Sequence, residues 1–178
     1  KEYITGYDFK NASKQEFRFN IFAWPCALTL AKNFDWKPMG TVLRDFTVRV
    51  PDELDISNEE YIRKTVERWD GEYCANEWQL VLEQDALNLG RALKKAVDVI
   101  PNERILLDGV PASLTIDEFP ASAVIGLDNG KNFNYHYMKI TNRGKNLGYA
   151  IGCFSGLDNK NYLKEFIQFC MGGEFDIL

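Results

Sequence analysis

Between Asp85 and Pro101 the sequence permits little other than a helix. Ala86, Leu89, Gly90, Leu93, Ala96, Val97 and Ile100 fall on one face at helical spacing. Asp85 is placed to cap the start, Lys94 and Lys95 suit the negative C-terminal end, and Pro101 stops the run. That face is apolar along its whole length, so the rest of the chain must cover it. Gly90 costs up to about 1 kcal/mol relative to Ala in a helix interior. A close helix contact would explain its presence.

Three further segments can supply the cover. Residues 16–34 read as a helix on Phe19, Phe22, Cys26, Leu30 and Phe34, with Pro25 in the first turn or kinking it. Residues 58–70 follow a Ser57/Glu60 capping box, with Ile62, Val66 and Trp69 inward and Glu59–Arg63 and Glu60–Lys64 as solvated pairs. Residues 159–171 follow Asp158 and end at Gly172-Gly173, with Tyr162, Leu163, Phe166, Ile167 and Cys170 inward. Strand signals are shorter. Phe46, Val48 and Val50 alternate, and Ile105–Leu107 is apolar. Residues 122–127 and 132–141 flank Asn129-Gly130, a strong hairpin signal. Residues 147–154 read as a strand because four helical glycines, Gly144 to Gly156, would each cost about 1 kcal/mol. Glu174–Leu178 offers a closing strand. The expected fold class is therefore α+β, with about four main helices packed on a small antiparallel β-meander. No linker or repeat interrupts residues 1–178, so a single globular domain is expected.

Charge narrows the partners. The formal net charge is −5, and the basic residues are scattered among acids. Nucleic-acid binders need a basic footprint to displace counterions, so no nucleic-acid partner is expected. An acidic surface suits a basic protein partner as well as solubility. The longest apolar stretch, Ile21–Ala31, is too short for a bilayer, which takes about 20 residues. With Asp8 and Glu16 ahead of it and Pro25 inside it, it also makes a poor signal peptide. Cys26, Cys74, Cys153 and Cys170 show no CxxC spacing. Four reduced thiols, hence a cytoplasmic location, are expected.

Catalytic signatures are incomplete. The one histidine, His136, stands between Tyr135 and Tyr137 with no carboxylate adjacent to orient it. In GCFSG (152–156), Ser155 lies one place too late for a nucleophile elbow. GLDNGK (126–131) lacks the spacing of a phosphate loop. Asp117 and Glu118 are neighbours in sequence, whereas an acid–base pair must face each other across a cleft. No catalytic residue, metal ligand or cofactor is assigned.

Aromatic residues remain as candidates for binding. Trp36 and Trp78 sit in polar loops beside helix ends, where tryptophan serves either as a docking hot spot or as a core anchor. Phe133, Tyr135 and Tyr137 line one face of a strand next to His136. The leading expectation is a non-enzymatic protein-binding or regulatory domain. The alternatives are a small metal-independent hydrolase using carboxylates, and a small-ligand-binding domain using the 133–137 stripe.

Overall fold

The computed structural model describes residues 6–44, 48–54, 57–104, 124–126, 132–134 and 147–178. Alternation governs its first segment. Tyr7, Phe9, Phe17 and Phe19 share one face, and Asp8, Lys10, Glu16 and Arg18 share the other. They form a hairpin of β1 (Gly6–Asn11) and β2 (Glu16–Asn20), closed by a turn with Lys14 at φ +61°.

This corrects the single helix expected over 16–34. The helix α1 begins only at Ala23 (Ala23–Asn33). Asn20 makes the break. Its Oδ1 accepts from the N–H groups of Phe22 (2.9 Å) and Ala23 (2.7 Å), donors that a helix start leaves unsatisfied. Pro25 lies in the first turn, where its missing N–H costs no hydrogen bond. Phe22, which carried the apparent helical spacing, is 65% exposed.

The sheet has the order β2-β1-β6-β3 and is antiparallel throughout, with β3 at Gln79–Val81 and β6 at Phe175–Ile177. The closing strand expected at the C-terminus thus lies inside the sheet, between β1 and β3. Register places Phe9, Phe19, Val81, Phe175 and Ile177 on one buried face. Against it pack Trp24 of α1 and Phe166 of α5 (Leu157–Met171), with ring centroids 4.8 Å apart for Phe9–Trp24 and for Phe19–Phe166. The opposite face carries ion pairs, Arg18–Asp8 at 2.8 Å and Arg44–Asp176 at 2.9 Å. An α+β architecture follows. The helices cover a sheet drawn from 6–20, 79–81 and 175–177, not the meander expected after residue 122.

The helix α3 (Glu83–Val97) carries the expected buried face, from Ala86 to Val97. Its cap is corrected: Leu82 is the N-cap, and Asp85 is buried within the first turn. A Cβ added to Gly90 would lie 3.0 Å from Cys170 Cβ and from Met171 Sδ of α5, so glycine allows the two helices to touch. In α5, Leu163, Phe166, Ile167 and Cys170 are buried as expected, while Tyr162 reaches the surface and Asp158 lies inside the first turn behind Gly156. The helix α2 (Asn58–Glu67) keeps its Ser57 cap, the Oγ accepting from Glu60 N–H at 3.1 Å. Lys64 pairs with Glu60, and Arg63 pairs with Glu67 rather than Glu59.

Residues 147–153 are helical, not extended: α4 spans Leu147–Cys153. Only Gly148 and Gly152 lie inside it. Their combined cost of about 2 kcal/mol is offset by burial of Ala150, Ile151 and, just beyond, Phe154. The predicted hairpin is present as β4 (Val124–Gly126) paired with β5 (Asn132–Asn134), in a separate two-stranded sheet. Val48 and Val50 are not in a strand. Phe46, Ile105–Leu107 and the turn at 142–145 lie outside the described residues.

Candidate functional site

A cleft of about 790 Å³ opens between α2 and two stretches of irregular chain. The helix supplies Tyr61 and Thr65. The chain on one side supplies Leu43, Val48 and Arg49, and the loop before β3 supplies Asn76, Glu77 and Trp78.

That loop is held from within. Gln79, fully buried at the start of β3, donates from Nε2 to the carbonyl of Ala75 and accepts the N–H of Glu77 at 2.9 Å through Oε1. Tyr7 Oη donates to the Cys74 carbonyl at 3.0 Å, and Trp24 Nε1 donates to the Tyr73 carbonyl at 2.8 Å. Thr41 Oγ1 donates to the Glu72 carbonyl at 2.6 Å and accepts from Trp69 Nε1 at 3.0 Å. Gly40 and Gly71 let the two backbones pass in close contact, and both have positive φ.

Trp78 emerges from this framework with φ +59° and 51% of its surface exposed. A bulky side chain in the left-handed region costs about 1–2 kcal/mol. It persists only where the surroundings over-determine it, and such residues cluster at ligand sites. Trp78 therefore lies half exposed in the wall of the cleft. Beside it, Asn76 Oδ1 is buried and has no hydrogen-bond partner among the described residues. Arg49 and Glu77 add one charge of each sign.

Trp36 is placed differently. It is 3% exposed, and its Nε1 donates to Asp85 Oδ1 at 2.9 Å. Asp85 also accepts from the Tyr73 hydroxyl and, at 3.4 Å, from Met39 N–H. The Tyr73 oxygen in turn accepts from Gly40 N–H at 2.9 Å. Burial, and then the Asp85 carboxylate, push the Tyr73 hydroxyl well above its ordinary range, so it stays a donor. This network anchors both the 36–41 chain and the start of the cleft loop. Trp36 is a core anchor.

Phe133 lies in β5, opposite Ile125. Tyr135, His136 and Tyr137, like Asp117 and Glu118, lie outside the described residues. Ser155 is buried, and its Oγ donates to the Gly152 carbonyl at 2.6 Å, closing the end of α4. Among the described residues lining the cleft, Glu77 is the one carboxylate, so none of these residues faces it as a second acid. Among the described residues, no group of three or more His, Cys, Asp or Glu comes together as a metal site. Sequence reasoning missed Asn76, Tyr61 and Arg49. Only Trp78, in its polar loop, signalled the region.

No helix among the described residues is long and apolar enough to cross a membrane. No protein-family model, curated protein or solved structure matches the chain.

Proposed function

We propose that this is a protein-binding domain that takes an extended segment of a partner protein into the cleft beside Trp78. The observation that carries the reading is Trp78 itself, a half-exposed indole held in a strained backbone conformation at the rim. Tryptophan dominates binding hot spots because it removes a large surface from water at little entropic cost. An extended peptide supplies the remaining chemistry. An apolar side chain can rest on Leu43 and Val48. The net charge of −5 favours a basic partner and speaks against nucleic acid. Four thiols accord with a cytoplasmic setting.

Selection of a phage-displayed random peptide library on the native domain tests this reading, with counter-selection on Trp78→Ala. The enriched peptides, made synthetically, are then titrated by calorimetry. A hot-spot tryptophan contributes at least about 2 kcal/mol, so affinity should fall roughly thirtyfold in the variant. Binding should also weaken as salt rises. Enrichment of no Trp78-dependent sequence, or equal affinity for both proteins, overturns the reading.

A further inference from the structure

Two of the four thiols meet. Cys26 on α1 and Cys153 at the end of α4 are 127 positions apart in sequence, yet Cys26 Sγ donates to Cys153 Sγ across 3.3 Å. Cys170 lies buried on α5, and Cys74 lies in the cleft loop beside Tyr7.

We propose that Cys26 and Cys153 are a redox site, closing to a reversible disulfide that clamps α1 to α4 when a low-molecular-weight disulfide such as oxidised glutathione accumulates. A disulfide bond is about 2.05 Å long, so the sulfurs need approach by little more than an ångström. The two helices already pack against each other, and each carries a buried alanine, Ala27 on one and Ala150 on the other.

The order of events follows from exposure. Cys26 is 7% exposed, whereas Cys153 is half-buried, so the incoming disulfide meets Cys153 first. The Cys153 thiol loses its proton and its thiolate attacks one sulfur of the glutathione disulfide. The S–S bond breaks, one glutathione leaves as thiolate, and a mixed disulfide remains on Cys153. Cys26 then loses its proton and attacks the Cys153 sulfur, expelling the second glutathione. The two released protons neutralise the two leaving thiolates. In sum, two protein thiols are oxidised to one disulfide, and one glutathione disulfide is reduced to two thiols. The hydrogen bond to Cys153, and then burial, push the Cys26 thiol well up, so Cys26 stays protonated while the more exposed Cys153 reacts first. Cytosolic disulfides are usually of this transient, sensing kind. The proposal does not depend on the cleft.

The test uses the whole chain, equilibrated in glutathione buffers from reducing to oxidising. Accessible thiols under denaturing alkylation should fall from four to two. Peptide mapping should recover one cross-link, Cys26 to Cys153, which dithiothreitol reverses. The oxidised protein should melt at higher temperature than the reduced one, since the bond closes a long loop. Cys26→Ser and Cys153→Ser should each abolish both the cross-link and the shift. Four thiols persisting in the oxidising buffer overturns the proposal, as does a cross-link to Cys74 or Cys170. A stable glutathione adduct on Cys153 that never resolves overturns it as well. The wild-type map decides the matter even where a serine variant fails to fold.

Discussion

Removing the Asp85 carboxylate should destabilise the domain by about 3 kcal/mol. Asp85 is fully buried and accepts from Trp36 Nε1 at 2.9 Å, from the Tyr73 hydroxyl, and more weakly from Met39 N–H at 3.4 Å. Asp85→Ala orphans the two strong donors, each at about 1–3 kcal/mol. Loss of the buried charge recovers part of that cost, and the long Met39 contact adds little. With a urea slope of about 2 kcal/mol per molar, the unfolding midpoint should fall by about 1.5 M. Asp85→Asn keeps an oxygen for Trp36 but turns an amide donor towards Tyr73, whose proton is then unplaced. It should cost about half as much. Tryptophan fluorescence in urea is the assay, because Trp36 and Trp24 are both buried. A double-mutant cycle with Tyr73→Phe should show coupling of about 1 kcal/mol or more. A midpoint for Asp85→Ala within about 0.3 M of wild type would refute the reasoning, given the same slope. So would Asp85→Asn proving the worse variant.

Three other substitutions test separate parts of the structure. Because Trp78 has φ +59°, Trp78→Gly should be more stable than Trp78→Ala by about 1 kcal/mol in urea unfolding, the reverse of the usual order; an alanine variant as stable as the glycine one removes the strain argument. Gly90→Leu should cost more than about 2 kcal/mol, despite leucine's better helix propensity, because Cβ alone already meets Cys170 and Met171 at 3.0 Å; a neutral result means that α3 and α5 can separate freely. Burial raises the Asp176 carboxyl above its ordinary 3.8, with Arg44 opposing the shift. The folded state therefore holds this proton more tightly than the unfolded chain, and Asp176 contributes stability at low pH that is lost as pH rises through the raised value. On acidification towards pH 3.8, wild type should keep more of its neutral-pH stability than Asp176→Asn, measured by urea midpoints across that range. An identical pH profile contradicts the shift.

Elements whose patterning is local were legible in the sequence. Ser57 and Glu60 stand at capping-box spacing, and the structure uses the cap. The α3 face could be read because its apolar residues keep one period over the whole element. Gly172-Gly173 marked the end of α5, and Gly173 takes φ +100° there. Misreadings arose where two periods fit the same residues. Phe19, Phe22 and Cys26 keep helical spacing, while Phe17 and Phe19 keep strand spacing, and only pairing with β1 decides between them. Residues 147–153 were misread because intrinsic propensity penalises Gly148 and Gly152, whereas the helix is decided by burial of its neighbours. The edges of the sheet were invisible for a similar reason. Residues 79–81 are three of a four-stranded sheet's residues only because β6, nearly a hundred positions on, lies beside them.

The same distinction explains the site. A tryptophan in a polar loop could be either anchor or contact; Trp36 is buried as an anchor, whereas Trp78 is half exposed. What separates them is not their neighbours in sequence but two buried polar side chains. Asp85 takes the Trp36 N–H and draws the indole inward. Gln79 ties residues 75–77 into a closed turn, which leaves Trp78 on the outside with a strained backbone. Both polar groups are fully buried, and both find partners where they are needed. The strain at Trp78, about 1–2 kcal/mol, is thus offset within the fold before any ligand arrives. On the proposed function, a partner would meet an indole whose backbone is already fixed, and the entropy lost on binding would fall largely on the partner. Loosening Gln79 should therefore weaken binding at Trp78 without touching a single cleft contact, as Gln79→Ala measured against the same selected peptides would show.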